Sequence, residues 1–177
     1  MIESCYWKED LLNHAKRLRP ISNPPRWSER RVVNFEKELI ISFFCIRKLF
    51  ESNKVSSASR EYRANIYWCP STGHRITKLN QHSIDDIYDL EKEKRGNKSV
   101  IFLCNQLIHS CTAFAYRNET RNWAGIYTCS DFERNRRIYR VPIEEIINIF
   151  KLVGSDFPSR FEMLWNEETE DYDVSTN

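Results

Sequence analysis

Glycine is scarce: the chain has four in 177 residues, and no two are close together. A loop that cradles the phosphates of a dinucleotide or nucleoside triphosphate needs clustered glycines, so that backbone N–H groups can approach the anion. Those folds are excluded on this ground, and no cofactor is expected. Long hydrophobic runs are missing as well. The longest, LIISFFCI at 39–46, falls far short of the roughly 20 residues that cross a bilayer, so no membrane partner is expected. The opening MIESCYWKEDLLNHAKRLRP places charges in every turn and lacks the apolar stretch of a signal peptide. Closely spaced cysteine pairs are also absent. Cys5, Cys45, Cys69, Cys104, Cys111 and Cys129 are scattered, a pattern that fits free thiols in a reducing cytoplasm better than a disulfide framework.

Aromatic residues are plentiful: ten Phe, eight Tyr and five Trp, within a composition that is 41% hydrophobic and 29% charged. That is enough apolar surface for one core, and no long linker or internal repeat divides the chain. The net charge of +2 hides an asymmetry. Residues 161–177 carry six carboxylates and no Lys or Arg, leaving 19 carboxylates against all 27 basic residues in the first 160. A positive body suits an anionic partner such as nucleic acid, although surface charge also serves solubility.

Periodicity predicts the elements. Trp7, Leu11, Leu12, Ala15 and Leu18 recur at helical spacing until Pro20, and PISNPPRW at 20–27 cannot continue a helix. With Ser28 as N-cap, a long helix runs to about residue 53, and Val32, Phe35, Leu39, Phe43, Ile46 and Phe50 form its apolar stripe. Glu36 and Arg47 fall beside that stripe, where each needs a partner or a place at the rim. EYRANIYWC at 61–69 and HRITKL at 74–79 flank the turn signal PSTG and predict a β-hairpin. A short helix from Ser83 ends before Gly96, and another from Asn97 or Ser99 is expected to continue to about Tyr116. WAGIYTC and RRIYRV predict a second hairpin, and Pro142 opens a helix that Gly154 closes. The expectation is an α+β fold. A single compact domain spans 1–165, with about four to five helices and one or two β-hairpins, followed by an acidic, flexible tail over 166–177.

Two constellations carry chemistry. On the helix expected to span LCNQLIHSCTAF, Asn105 and His109 lie one turn apart, on a face shared with Phe102, Thr112 and Tyr116 and turned from the apolar side. A histidine titrating near neutrality can move protons at a ribose hydroxyl, with an asparagine one turn away to orient it. It can equally be an ordinary surface or hydrogen-bonded histidine. The second constellation is Arg117, Arg121, Arg134, Arg136, Arg137 and Arg140, interleaved with Tyr116, Trp123, Tyr127 and Tyr139. It is compatible with phosphate contacts and base stacking, or with a solvated hairpin face. Cys69, His74 and His82 lack the paired spacing of a zinc module, and a nucleophilic Cys69–His74 pair is more simply a strand end and a turn.

Asn-x-x-x-His at 105–109 resembles the latter part of the HEPN-domain motif, Arg-Asn-x-x-x-His, found in helical bundles that are often dimeric, metal-independent ribonucleases. The resemblance implies an acid/base role for His109 and a supporting role for Asn105 at a dimer interface. Cys104 stands where that motif has its Arg, and a thiol cannot supply a fixed positive fork to a pentacovalent phosphate. Two functions are therefore expected from the sequence. One is a non-catalytic binding or regulatory protein that engages RNA, DNA or a protein through the basic hairpin and the Asn105/His109 face. The other is a divergent ribonuclease acting as a homodimer.

Overall fold

The computed structural model describes residues 3–177. Its elements in chain order are α1 (Cys5–Arg17), α2 (Glu29–Glu51), α3 (Ser57–Glu61), β1 (Arg63–Pro70), α4 (Ile84–Ile87), β2 (Lys94–Ser99), α5 (Val100–Ile108), β3 (Ser110–Arg117), β4 (Trp123–Ser130), β5 (Arg137–Pro142), α6 (Ile143–Gly154), β6 (Phe161–Asn166) and β7 (Asp171–Thr176). Five strands form one antiparallel sheet in the order β2-β1-β5-β4-β3, and β6 pairs with β7 separately.

The long helices gather on one face of the sheet. Phe35, Leu39, Phe43, Ile46 and Phe50 of α2 pack with Ile146, Ile149, Phe150 and Val153 of α6 and Leu103 and Leu107 of α5. Beneath them lie the inward side chains of the strands, Ala64, Ile66, Ile126, Tyr139 and Val141. Each Leu, Ile or Phe buried this completely contributes about 1.5–3 kcal/mol relative to exposure. The opposite face carries a smaller cluster in which Ile76, Ile87 and Tyr88, from the segment between β1 and β2, cover Cys69, Ile138 and Cys129. The alternation along β1, β4 and β5 assigns successive residues to these two cores.

The helices α1, α2 and α6 and the β4–β5 hairpin follow the sequence expectation. Ser28 and Pro142 are extended N-cap residues of α2 and α6. Four other expectations are corrected. First, β1 pairs with β2 and β5 rather than with 74–79. That short segment offers the interior only Ile76 as a large side chain and leaves Leu79 88% exposed, too little to hold a strand.

Second, the helix from Ser83 stops at Ile87, and KRGNKS becomes β2. Its polarity suits a sheet edge, and Gly96 lies beside the indole of Trp68. Third, the helix expected to reach Tyr116 ends at Ile108, with His109 as its C-cap and the next eight residues in β3. Thr112, Phe114 and Tyr116 are better accommodated opposite Cys129, Tyr127 and Gly125 on a pleated surface than on a helix.

Fourth, residues 171–176 of the expected tail form β7. The buried Thr176 hydroxyl donates to the Val55 carbonyl at 2.6 Å, and the Asn177 N–H donates to the Arg160 carbonyl. Among the described residues, no helix is long and apolar enough to cross a membrane.

Candidate functional site: an arginine cleft and a histidine cleft

The hairpin arginines are largely engaged by neighbours. Arg140 makes a forked pair with Glu93, at 2.6 Å from Nη2, and donates to the Tyr116 hydroxyl at 3.0 Å. The Glu93 carboxylate, and after it the Tyr116 hydroxyl, raise its already high pKa further against the opposing cost of burial. Arg137 lies 3.4 Å from Glu133 and 4.7 Å over the Trp68 ring, Arg136 lies over Phe132, and Arg134 pairs with Asp131 at 3.1 Å. Tyr139 is 1% exposed and donates to Glu133. Its ring belongs to the core, so the stacking surface expected of it is corrected. Of that constellation, Arg117, Arg121 and Trp123 stand together elsewhere, at the end of the sheet where β4 begins.

There they line a cleft of about 330 Å³ built by three separated parts of the chain. The helix α1 and the loop after it supply His14, Arg17 and Arg19, α2 supplies Arg31 and Glu38, and β3 with its turn supplies Arg117 and Arg121. Five arginines thus face one carboxylate. The loop PISNPPRW, read from the sequence as a connector, is the outer wall. Asn122 clamps it by accepting from the Ile21 N–H at 3.0 Å and donating to the Ile21 carbonyl at 3.2 Å. Arg121 sits at φ 65° within the turn closed between Asn118 and Asn122, a left-handed conformation that a non-glycine residue seldom adopts.

Arg117 continues the alternation of Ala113 and Ala115 to the helix side of the sheet. Its guanidinium lies against two neighbouring indoles, 4.7 Å from Trp27 and 4.3 Å from Trp123, whose rings are 5.8 Å apart, with Trp123 stacked on Phe35. Such stacking holds an arginine without consuming its hydrogen-bond donors. Burial first, then the like charges of Arg31 and Arg121, lower its pKa, so an anion placed here relieves a repulsion already present. One Nη donates to the Pro25 carbonyl, while the buried Nε has no partner.

His14, 3% exposed, opens on the same cleft. Its Nδ1 is 2.8 Å from the Ser42 hydroxyl, and Glu38 stands 3.3 Å from Nε2 but outside hydrogen-bonding geometry, which leaves Nε2 unpaired. Burial brings His14 down to about 4 against the opposing pull of Glu38, so the ring is neutral at pH 7. Buried polar atoms are nearly always satisfied. His14 Nε2 and Arg117 Nε are two such exceptions in one arginine-lined cleft; the Nε atoms of Arg134 and Arg137 on the hairpin are two more. The sequence reading missed Arg17, Arg19, Arg31, His14 and Trp27. The signal was the basic and aromatic character of RLRPISNPPRWSERR at 17–31, where Glu29 is the one carboxylate.

The second cleft, an open one of about 620 Å³, collects Asn105, His109, Phe102, Gln106, Ser130, Asp131, Phe132, Glu133 and Arg47. Thr112 and Tyr116, expected on the same face, have left it for β3. His109 is exposed at the C-cap of α5, and its carbonyl accepts the Asp131 N–H at 3.2 Å. Arg47, from α2, donates to Asn105 Oδ1 at 2.7 Å and to Glu51 at 2.8 Å. Glu36, the other charge beside the α2 stripe, accepts the Ala115 N–H at 3.2 Å. Cys104, in the position of the motif arginine, is fully buried, and burial pushes its thiol up to about 12. A guanidinium therefore reaches Asn105 from a neighbouring helix, in company with three carboxylates.

Among the described residues, no three His, Cys, Asp or Glu side chains converge as a metal site. Cys69 is buried in β1, and His74 Nδ1 lies 3.1 Å from the Asp86 carbonyl. Comparison with family models, with characterised proteins and with solved structures returns no match to this chain.

Proposed function

We propose that this is a non-catalytic nucleic-acid-binding protein that grips the phosphate backbone of a single strand in the arginine cleft. The observation that carries the reading is the convergence of five arginines on one carboxylate, in a cleft that Arg117 and His14, each with a buried unpaired nitrogen, also line. Guanidinium forks match phosphate oxygens in pairs. Trp27, 56% exposed beside Arg117, leaves an indole on which a base can stack. The β4–β5 arginines have a subordinate part in this reading, because Glu93, Glu133 and Asp131 already compensate them.

Anisotropy of a labelled single-stranded RNA or DNA, titrated between 50 and 200 mM salt, tests the reading. The Arg31→Gln, Arg121→Gln double variant is expected to bind at least roughly tenfold more weakly. Its salt slope should be shallower by about 1.4, two phosphate contacts at about 0.7 each for single strands. Arg136→Gln should bind as the wild type does. Equal affinity and slope in the double variant would remove the cleft from nucleic-acid binding.

A second reading, a metal-independent ribonuclease, is favoured by one contact: Arg47 Nη1 at 2.7 Å from Asn105 Oδ1, in the cleft that also holds His109. On this reading α2 supplies the positive group that position 104 lacks, His109 moves the proton, and Asn105 orients the guanidinium. Asp131, Glu133 and the Arg47–Glu51 pair weigh against holding a phosphodiester there, which is why binding is preferred. The reading requires RNA cleavage in the presence of a chelator, slowed about 10²–10⁴-fold by His109→Ala. Undiminished cleavage in that variant would assign the activity elsewhere.

A further inference from the structure

Cys111 and Cys129 face each other across β3 and β4 with their sulfurs 3.5 Å apart. The pairing explains the closeness. Ser110 lies opposite Ser130 and Thr112 opposite Cys129, so Cys111 is the extra residue of a β-bulge and leans towards the strand it does not pair with. Cys129 is completely buried, whereas Cys111 is half-buried and reachable. Tyr88 Oη is 3.2 Å from Cys129 Sγ and donates to the Arg134 carbonyl at 2.7 Å.

We propose that Cys111 is a hydroperoxide-reactive thiol and that Cys129 resolves it into a reversible intramolecular disulfide. The Cys111 thiolate attacks the distal peroxide oxygen. The O–O bond breaks, the leaving hydroxide or alkoxide takes a proton, and Cys111 becomes a sulfenic acid. Cys129 then gives up its proton and attacks the Cys111 sulfur, so that the S–S bond forms, the S–O bond breaks and water leaves. In sum two thiols lose two electrons and two protons to the peroxide, which becomes water, or water and an alcohol. Bringing the sulfurs from 3.5 Å to a bond of about 2 Å needs a movement of about 1.5 Å, within reach of rotation about the two Cα–Cβ bonds.

The chemistry of the remaining cysteines agrees. The Cys129 thiol, donating to Cys111, lowers the pKa of the Cys111 thiol despite partial burial, and Cys129 itself is raised by its neighbour. Burial pushes Cys45 and Cys69 up to about 11. Cys5 is the most exposed thiol, yet desolvation and then the Glu3 carboxylate raise it. Exposure alone therefore ranks Cys5 first for oxidation, while the pair geometry ranks Cys111 first. The modification would tie the bulge to β4 one residue from Ser130 and two from His109, both of which line the second cleft.

The experiment treats the reduced full-length protein with one equivalent of hydrogen peroxide at pH 7, blocks free thiols with N-ethylmaleimide and maps the peptides by mass spectrometry. The expected result is a 111–129 linked peptide that dithiothreitol releases, formed before Cys5 is oxidised. In Cys129→Ser, dimedone should trap a sulfenic acid at position 111. Oxidation of Cys5 ahead of Cys111, or no 111–129 link in the wild type, would overturn the proposal whether or not either variant folds.

Discussion

Gly125→Ala should cost this fold about 4 kcal/mol. Gly125 holds φ 152° on β4, outside the range that L side chains adopt, and a Cβ there would stand 2.3 Å from the Val141 carbonyl oxygen and 2.8 Å from the Tyr116 hydroxyl. Neither obstacle yields cheaply. Val141 belongs to the neighbouring strand β5, and the Tyr116 hydroxyl accepts from Arg140, which is itself locked to Glu93. Backbone strain at such a position is worth about 1–3 kcal/mol, and forcing atoms into a filled site about 1–3 kcal/mol more.

Against a typical total stability of about 5–15 kcal/mol, the loss is large enough to move a urea midpoint by about 2 M. Gly73→Ala separates the two contributions. Gly73 also has a positive φ, 96°, but nothing lies within 4 Å of its added Cβ, so only the strain of about 1–3 kcal/mol applies. Equal midpoints for the two variants would show that the contact with Val141 and Tyr116 carries no cost.

Acidification should act through His14. Its pKa in the folded protein is about 4, whereas in an unfolded chain a histidine titrates near 6.5. Between those values the unfolded chain binds a proton that the folded protein refuses, so stability increases with pH across this window and is lost as pH falls from about 6.5 to 4. At pH 4.5 the loss attributable to this one ring is about 2–3 kcal/mol. The ring is 3% exposed, so solvent screens little of it. His14→Gln keeps a polar group beside Ser42 and removes the titration. Urea denaturation at pH 7.5 and pH 4.5 should show a smaller acid loss for the variant by that amount, and parallel losses would place the acid sensitivity on other groups. A phosphate held against Nε2 favours the protonated ring and should narrow the loss.

The two experiments meet at the arginine cleft. Tyr116, which packs on Gly125, precedes Arg117 in β3, and His14 forms part of the opposite wall. The cleft is assembled from residues about a hundred positions apart, as the Asn122 clamp on Ile21 makes plain. No local pattern announces such a meeting. The same holds for Arg47. Its place beside the α2 stripe was legible as a charge in need of a partner, but the partner, Asn105, lies on another helix.

What the amino-acid order determined by itself is the local structure whose signals are strong and repeated. The apolar stripe from Phe35 to Phe50, the Ser28 and Pro142 starts and the β4–β5 hairpin are cases where periodicity of 3.6 or 2 and the backbone preferences of the boundary residues agree. Tertiary structure decided the cases where local preference was divided or weak. LCNQLIHSCTAF is apolar enough for either state, and it switches from helix to strand at His109 because β4 offers Thr112, Phe114 and Tyr116 a pleated partner. KRGNKS has little strand preference of its own and becomes β2 because β1 would otherwise leave an edge unpaired. The acidic segment 171–176 is a strand because β6 lies beside it. Backbone hydrogen bonds must be satisfied by whichever neighbour the packed core brings near, and that neighbour is chosen by burial across the whole chain rather than by the residues on either side.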